Sequence, residues 1–205
     1  EIGDASTAPW TAATVLDATD PADRKIYVGK TAPNASAATE FKWASLDDDA
    51  KNFLRLPPGG DTPDAESVGE DRLDFVRGVR TKEAPNGTLR KRGKVLGDIV
   101  SSSPVVVGVP QGQYSDSTDP GYEAFKAAQA GRKKMVYVGA NDGMLHAFDD
   151  ATGREMWAYV PSFVYSAEPD KGLLMLTKKE PFFKHQMFVD ATPVAVDVDI
   201  GGTWK

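Results

Sequence analysis

The stretch from Lys134 to Val160 limits what this chain can fold into more than any other. Lys134–Ala140 alternates Met135, Tyr137 and Gly139 against Val136, Val138 and Ala140, the period of two that a strand imposes. Asn141-Asp142-Gly143 follows, a turn signal because these residue types tolerate the positive φ of a tight hairpin. Met144–Asp149 reads as the return strand, Asp150-Ala151-Thr152-Gly153 as the next turn, and Glu155–Val160 as a third strand ended by Pro161. Three antiparallel strands joined by tight turns make a meander, the unit of a propeller blade. A second meander is predicted to begin at Met187–Val189 and Thr192–Val198, with Gly201-Gly202 as its turn and Trp204 opening the next strand.

The rest of the chain is less regular. Residues 1–95 read as a loop-rich part with short strands at Ala12–Leu16, Lys25–Val28 and Phe41–Ala44. Helices are predicted over Asp47–Arg55, stopped by Pro57-Pro58-Gly59-Gly60, and over Glu70–Arg77, ending at Gly78. Pro57–Gly69 between them reads as a mobile loop. From Leu96 onward the pattern turns to strands. Pro104–Val109 is a branched apolar run bounded by prolines, expected to be a short strand buried on both faces. Gln111–Gly121 is a polar loop, and Tyr122–Ala130 an inserted helix with Gly131 as its C-cap. The fold class is therefore all-β with short helical insertions, residues 96–205 carrying the blades.

Composition removes several function classes. The 205 residues suit one or two domains, and 40% hydrophobic content is that of a globular protein. A net charge of −6 argues against a nucleic-acid partner. Arg90-Lys91-Arg92 and Lys94 form a brief basic stretch that reads as a solvated loop rather than a phosphate contact. With no cysteine, neither a disulfide framework nor a thiolate metal site can form. No apolar run approaches the roughly 20 residues that span a bilayer. No signal peptide opens the chain, which begins at Glu1 and stops mid-pattern at Lys205, so it reads as a piece of something longer.

Ala147-x-Asp149-x-x-Thr152-Gly153-x-Glu155-x-Trp157 is the informative constellation. Asp149 can accept hydrogen bonds from the backbone of the turn, and Gly153 supplies the freedom that closes it. Trp157 is large and planar enough to fill the gap between neighbouring blades. The pattern is similar to the tryptophan-docking motif of quinoprotein-like propellers. A narrower resemblance follows from Leu96-Gly97-Asp98-Ile99-Val100-Ser101-Ser102-Ser103-Pro104, from Tyr137–Phe148, and from Phe188-Val189-Asp190-Ala191-Thr192-Pro193. Together with Phe75-Val76-Arg77-Gly78 and Arg90-Lys91-Arg92, these resemble the propeller of PilY-type proteins of type IV pili over about residues 70–205. The resemblance implies an extracytoplasmic, non-enzymatic scaffold, at the pilus tip, on the outer membrane or secreted. Such a scaffold supports pilus assembly or opposes retraction, and it binds minor pilins or host and abiotic surfaces through loops such as Gln111–Gly121 and Ser162–Lys184. It also implies calcium in many members, through an Asp-rich loop that is expected beyond residue 205.

The alternative is a fragment of a quinone-dependent (PQQ) dehydrogenase, whose propellers carry the same docking motif. Such enzymes use a vicinal cysteine pair that this chain lacks. No catalytic, cofactor-binding or metal residue is assigned. His146 and His185 could share a metal or act as acid and base, but structural roles are expected for both. Ser101–Ser103 have no partner at a characteristic offset and read as hydrogen-bonding the start of a strand. Asp197-x-Asp199-x-Gly201 lacks the further oxygens and distal acid that calcium requires. It reads as a strand end with solvated aspartates. Asn34-Ala35-Ser36 fits a glycosylation sequon by chance, and Phe182-Phe183-Lys184 reads as a capped apolar loop.

Overall fold

Six strands form one sheet in the computed structural model, which describes residues 10–29, 38–57, 62–166, 168 and 171–205. They are β1 (Ile26–Val28), β2 (Thr39–Glu40), β3 (Val105–Val107), β4 (Met135–Ala140), β5 (Met144–Asp149) and β6 (Glu155–Val160), in the order β2-β1-β6-β5-β4-β3. β3 through β6 run antiparallel, while β1 lies parallel to β6, with Ile26 opposite Ala158 and Val28 opposite Val160. The predicted meander is thus present, extended by β3 on one side and by β1 and β2 on the other.

Among the described residues four α-helices accompany the sheet: α1 (Ala12–Asp17), α2 (Asp48–Arg55), α3 (Glu66–Arg77) and α4 (Tyr122–Ala128). Asp47 caps α2 by accepting from the Ala50 N–H at 2.9 Å, and Asp48 and Asp49 in its first turn with Arg55 in its last suit the helix dipole. The core lies beside the outer half of the sheet. Ile26, Val28, Ala158, Val160 and Met144 pack with Phe41, Leu54, Leu73, Phe75 and Leu176. Each such large apolar side chain contributes about 1.5–3 kcal/mol on burial. The part that reads as loop-rich therefore supplies much of the hydrophobic interior. The 3₁₀ turn Leu173–Thr177, inside an expected docking loop, is wholly buried there as well.

Several expectations are corrected. Ala12–Leu16 is helical, not extended: Thr11 caps it, accepting from Thr14 N at 3.3 Å. Phe41–Ala44 is no strand. Pairing ends at Glu40, Phe41 N donates to Ile26 O at 2.8 Å, and Trp43–Ser45 coil into a 3₁₀ turn that buries the Phe41 ring. α3 starts at Glu66, a turn earlier than Glu70, so the expected loop is shorter; Pro58–Asp61 and the Asn34 sequon lie outside the described residues. β3 is an edge strand rather than a two-sided buried one, with Val106 57% exposed. α4 is capped at Gln129, ahead of Gly131. The second meander is replaced by one turn: Val198 and Lys205 exchange backbone bonds at 2.9 and 3.0 Å around Gly201-Gly202, and residues 187–196 form no strand. A strand needs a neighbour to bond, and this stretch has none among the described residues.

Candidate functional site

The motif residues gather around β5 and β6. Asp149 Oδ1 accepts from Ala151 N at 2.9 Å, and its carbonyl accepts from Gly153 N at 2.8 Å. Lys133 pairs with its other carboxylate oxygen. These contacts, Lys133 foremost, hold the Asp149 carboxyl below its usual range. Thr152 Oγ1 accepts from Arg154 N at 3.3 Å. Gly153 has φ +68°, and a Cβ there would lie 2.3 Å from the Trp10 ring. Any other residue would be strained twice over.

Ala147 pairs with Tyr137 on β4 and with Trp157 on β6, so all three share one face. The two rings meet at 5.8 Å beside the buried Ala147. Trp157 is half-buried against this sheet. A register shift between Ala147 and Phe148 sets Phe148 opposite Glu155, leaving Met156 as the extra residue of a β-bulge. Glu155 and Trp157 would share a face in a regular strand. The bulge turns Glu155 to the opposite one, where His146 and Phe148 point.

On that face lies a chain of buried charges. Arg24 donates from Nε and Nη2 to Glu155 at 2.7 and 2.9 Å, both side chains being 2% exposed, and from Nη1 to Arg77 O at 2.6 Å. His146, fully buried and stacked on Phe148, reaches Glu155 through Nδ1 at 2.8 Å and Asp142 through Nε2 at 3.1 Å. Burial alone would lower the imidazole pKa. The Asp142 and Glu155 carboxylates outweigh it and raise the value to about 9, so both ring nitrogens carry protons and donate. Burial likewise opposes ionisation of Glu155, but His146 and Arg24 hold it down to about 2. Asp142 is lowered too, against its own burial, by His146 and by the Gly97 N–H it accepts at 2.9 Å. Two cations face two carboxylates, which satisfies a buried charge cluster.

Asp142 leads outward to the segment that opens the strand region. A Cβ at Gly97 would lie 2.3 Å from Asp142 N, so residues 96–98 touch the β4–β5 turn backbone to backbone. Asp98 O accepts from Asn141 N at 3.0 Å, and its carboxylate meets His185 at 2.8 Å. Ser102 Oγ accepts from Gly139 N at 3.0 Å; Ser101 N donates to Asp190 at 3.0 Å, and Ser103 N to Thr192 at 2.9 Å. The Gly-Asp-Ile segment and the Val-Asp-Ala-Thr-Pro segment are thus bound to each other and to β4.

Other residues depart from their reading. Arg92 does not sit in a solvated loop: it is buried, pairs with Glu83 at 2.8 Å and lies 3.7 Å over the Phe75 ring. Arg90 is half-buried over Phe183. Asp197 is not a solvated strand end: it accepts from Tyr122 Oη at 2.8 Å and Gly112 N at 3.2 Å, beside a cluster of Tyr114, Tyr122, Phe125 and Trp204. Arg24, Asp142 and Arg77, which anchor the charge chain, are absent from the sequence motif. Arg24 and Glu155 are 131 residues apart, and no local spacing announces such a pair. Among the described residues, no helix is long and apolar enough to cross a membrane.

Comparison with known proteins adds the family. Residues 96–205 match the PilY1 beta-propeller domain. The chain is 39% identical over 203 residues, 95% of its length, to the type IV pilus biogenesis factor PilY1 of Pseudomonas aeruginosa strain PAK, and 36% identical over 98% of its length to that of strain UCBPP-PA14. A PilY1 homolog of Xylella fastidiosa is 42% identical over 137 residues, 64% of the chain and 11% of the homolog. The chain spans 16% and 17% of the two Pseudomonas proteins. No solved structure matches it. The chain belongs to the PilY1 β-propeller family.

Proposed function

We propose that this chain is a rigid, non-enzymatic part of the propeller of a type IV pilus biogenesis factor. It works outside the cytoplasm, where it supports pilus assembly or opposes retraction by holding surface loops for minor pilins or other surfaces. The observation that carries the reading is 39% identity to the PilY1 of strain PAK along 95% of the chain. The structure supports the scaffold half of the proposal. Two of its strongly perturbed titratable groups, His146 and Glu155, are spent on each other and on Asp142 and Arg24, closed off from solvent. Such an arrangement fastens strands. β3–β6 would serve as one blade, and the Ala147…Trp157 motif would dock it against the next. Any calcium would belong to a loop C-terminal to Lys205.

The test is piliation. In cells lacking the parent protein, full-length protein carrying Trp157→Ala is expected to restore fewer surface pili than the unaltered form. Removing the retraction motor should bring the count back. Normal piliation with the variant, at equal protein level, would count against the docking role. A deficit that survives loss of the motor would count against opposed retraction.

A further inference from the structure

A cleft of about 210 Å³ opens between α3, residues 90–98, the β4–β5 turn and residues 183–188. Phe75, Val76, Leu176 and Phe188 make its walls apolar. Its basic residues have different fates. Arg92 is consumed by Glu83 and by the Phe75 and Val79 carbonyls. Lys94 pairs with Asp17 at 2.9 Å, and His185 with Asp98 at 2.8 Å. Arg90 differs. Its Nε donates to Leu176 O at 3.0 Å, its backbone N to Thr177 O at 3.0 Å, and its guanidinium lies 4.1 Å over the Phe183 ring. Among the described residues no carboxylate pairs with it and no acceptor meets its two Nη groups. The side chain is therefore fixed in place with one edge of its fork unused. Burial weakens its hold on the proton, and the charges of Glu83, Glu180 and Asp98, none of them paired with it, offset this only in part.

We propose that this cleft binds a carboxylate on a peptide, an acidic side chain flanked by apolar residues, with the Arg90 fork as its anchor. A planar guanidinium held over an aromatic ring is pre-organised for two parallel hydrogen bonds to a carboxylate. Apolar walls beside it reward apolar neighbours on the ligand. Size selects the class: small-molecule and cofactor pockets commonly run about 300–1,000 Å³, whereas this cleft holds about one or two side chains.

The experiment uses the full-length protein and two amidated fluorescein-labelled peptides, Gly-Ser-Leu-Glu-Leu-Ser-Gly and its Gln counterpart, followed by fluorescence anisotropy. The Glu peptide is expected to bind about ten-fold tighter, a difference of about 1.4 kcal/mol. Arg90→Gln should erase that preference, and Arg90→Lys should leave part of it. Equal affinity for the two peptides, or no binding by either, overturns the proposal on the unaltered protein alone. So does a preference that survives in a folded Arg90→Gln variant. Displacement of the Glu peptide by submillimolar inorganic phosphate, without displacement by the same concentration of acetate, would mark a phosphate site instead.

Discussion

His146 is a buried cation held by two carboxylates, and its pH dependence has a definite sign. Its folded pKa of about 9 lies above the 6.5 of a free imidazole, so the folded state binds this proton more tightly than the unfolded one. The stabilisation is complete below about pH 6.5 and is lost as pH rises through about 9. Glu155 runs the other way: with a folded pKa of about 2 against 4.5, it stabilises above pH 4.5 and ceases to do so as pH falls towards 2. Thermal unfolding should therefore show its highest midpoint between about pH 4.5 and 6.5 for this cluster, declining on both sides. His146→Gln should lower the midpoint most at pH 6 and progressively less towards pH 10. An imidazole that titrates near 6.5 by ¹⁵N NMR would show that the carboxylates do not hold the proton.

At the level of strands and turns, the bulge between Ala147 and Phe148 allows one strand to serve two interiors. It sends Glu155 to the charged chain and leaves Trp157 beside Tyr137. Ala147 has to be small, because two rings meet beside it. Ala147→Leu should cost about 1–3 kcal/mol through overpacking, read as a lower denaturant midpoint at unchanged slope. Gly97→Ala should cost a similar amount, because the new methyl group would meet main chain at Asp142, which cannot rotate away. Equal midpoints for Gly97→Ala and the parent would mean that residues 96–98 do not dock on the turn. Alternation and Asn-Asp-Gly made β4–β6 readable from sequence, because a hairpin is written in adjacent residues. α1 reads as extended because Thr14 and Val15 look strand-like, whereas its stability comes from a cap and from packing Leu16. The Arg24–Glu155 pair was unreadable because only the parallel pairing of β1 with β6 joins its ends. The second meander failed for want of a neighbouring strand, not of pattern.

The molecule as a whole is an open sheet in a family named for a closed ring. Its β3 edge is short and exposed, and beyond it Val194, Val196, Val198 and Ile200 alternate along the chain with their side chains in solvent, Val194 at 86%. An exposed edge bordered by branched apolar residues attracts another strand, and alternation of this kind is what half-buried strands carry. Further propeller sheet is the covering element we propose; the chain spans about a sixth of the length of the Pseudomonas relative. In the full-length protein, amides from Thr192 to Ile200 and along β3 should exchange slowly with deuterium. In the 205-residue chain alone they should exchange fast. Val194→Lys together with Val196→Lys should then lower the melting temperature of the full-length protein by several degrees. Substitutions on a free surface typically stay within about 0.5 kcal/mol. An unchanged melting temperature, with fast exchange in the full-length protein, would mean that this face stays open and that the ring closes elsewhere.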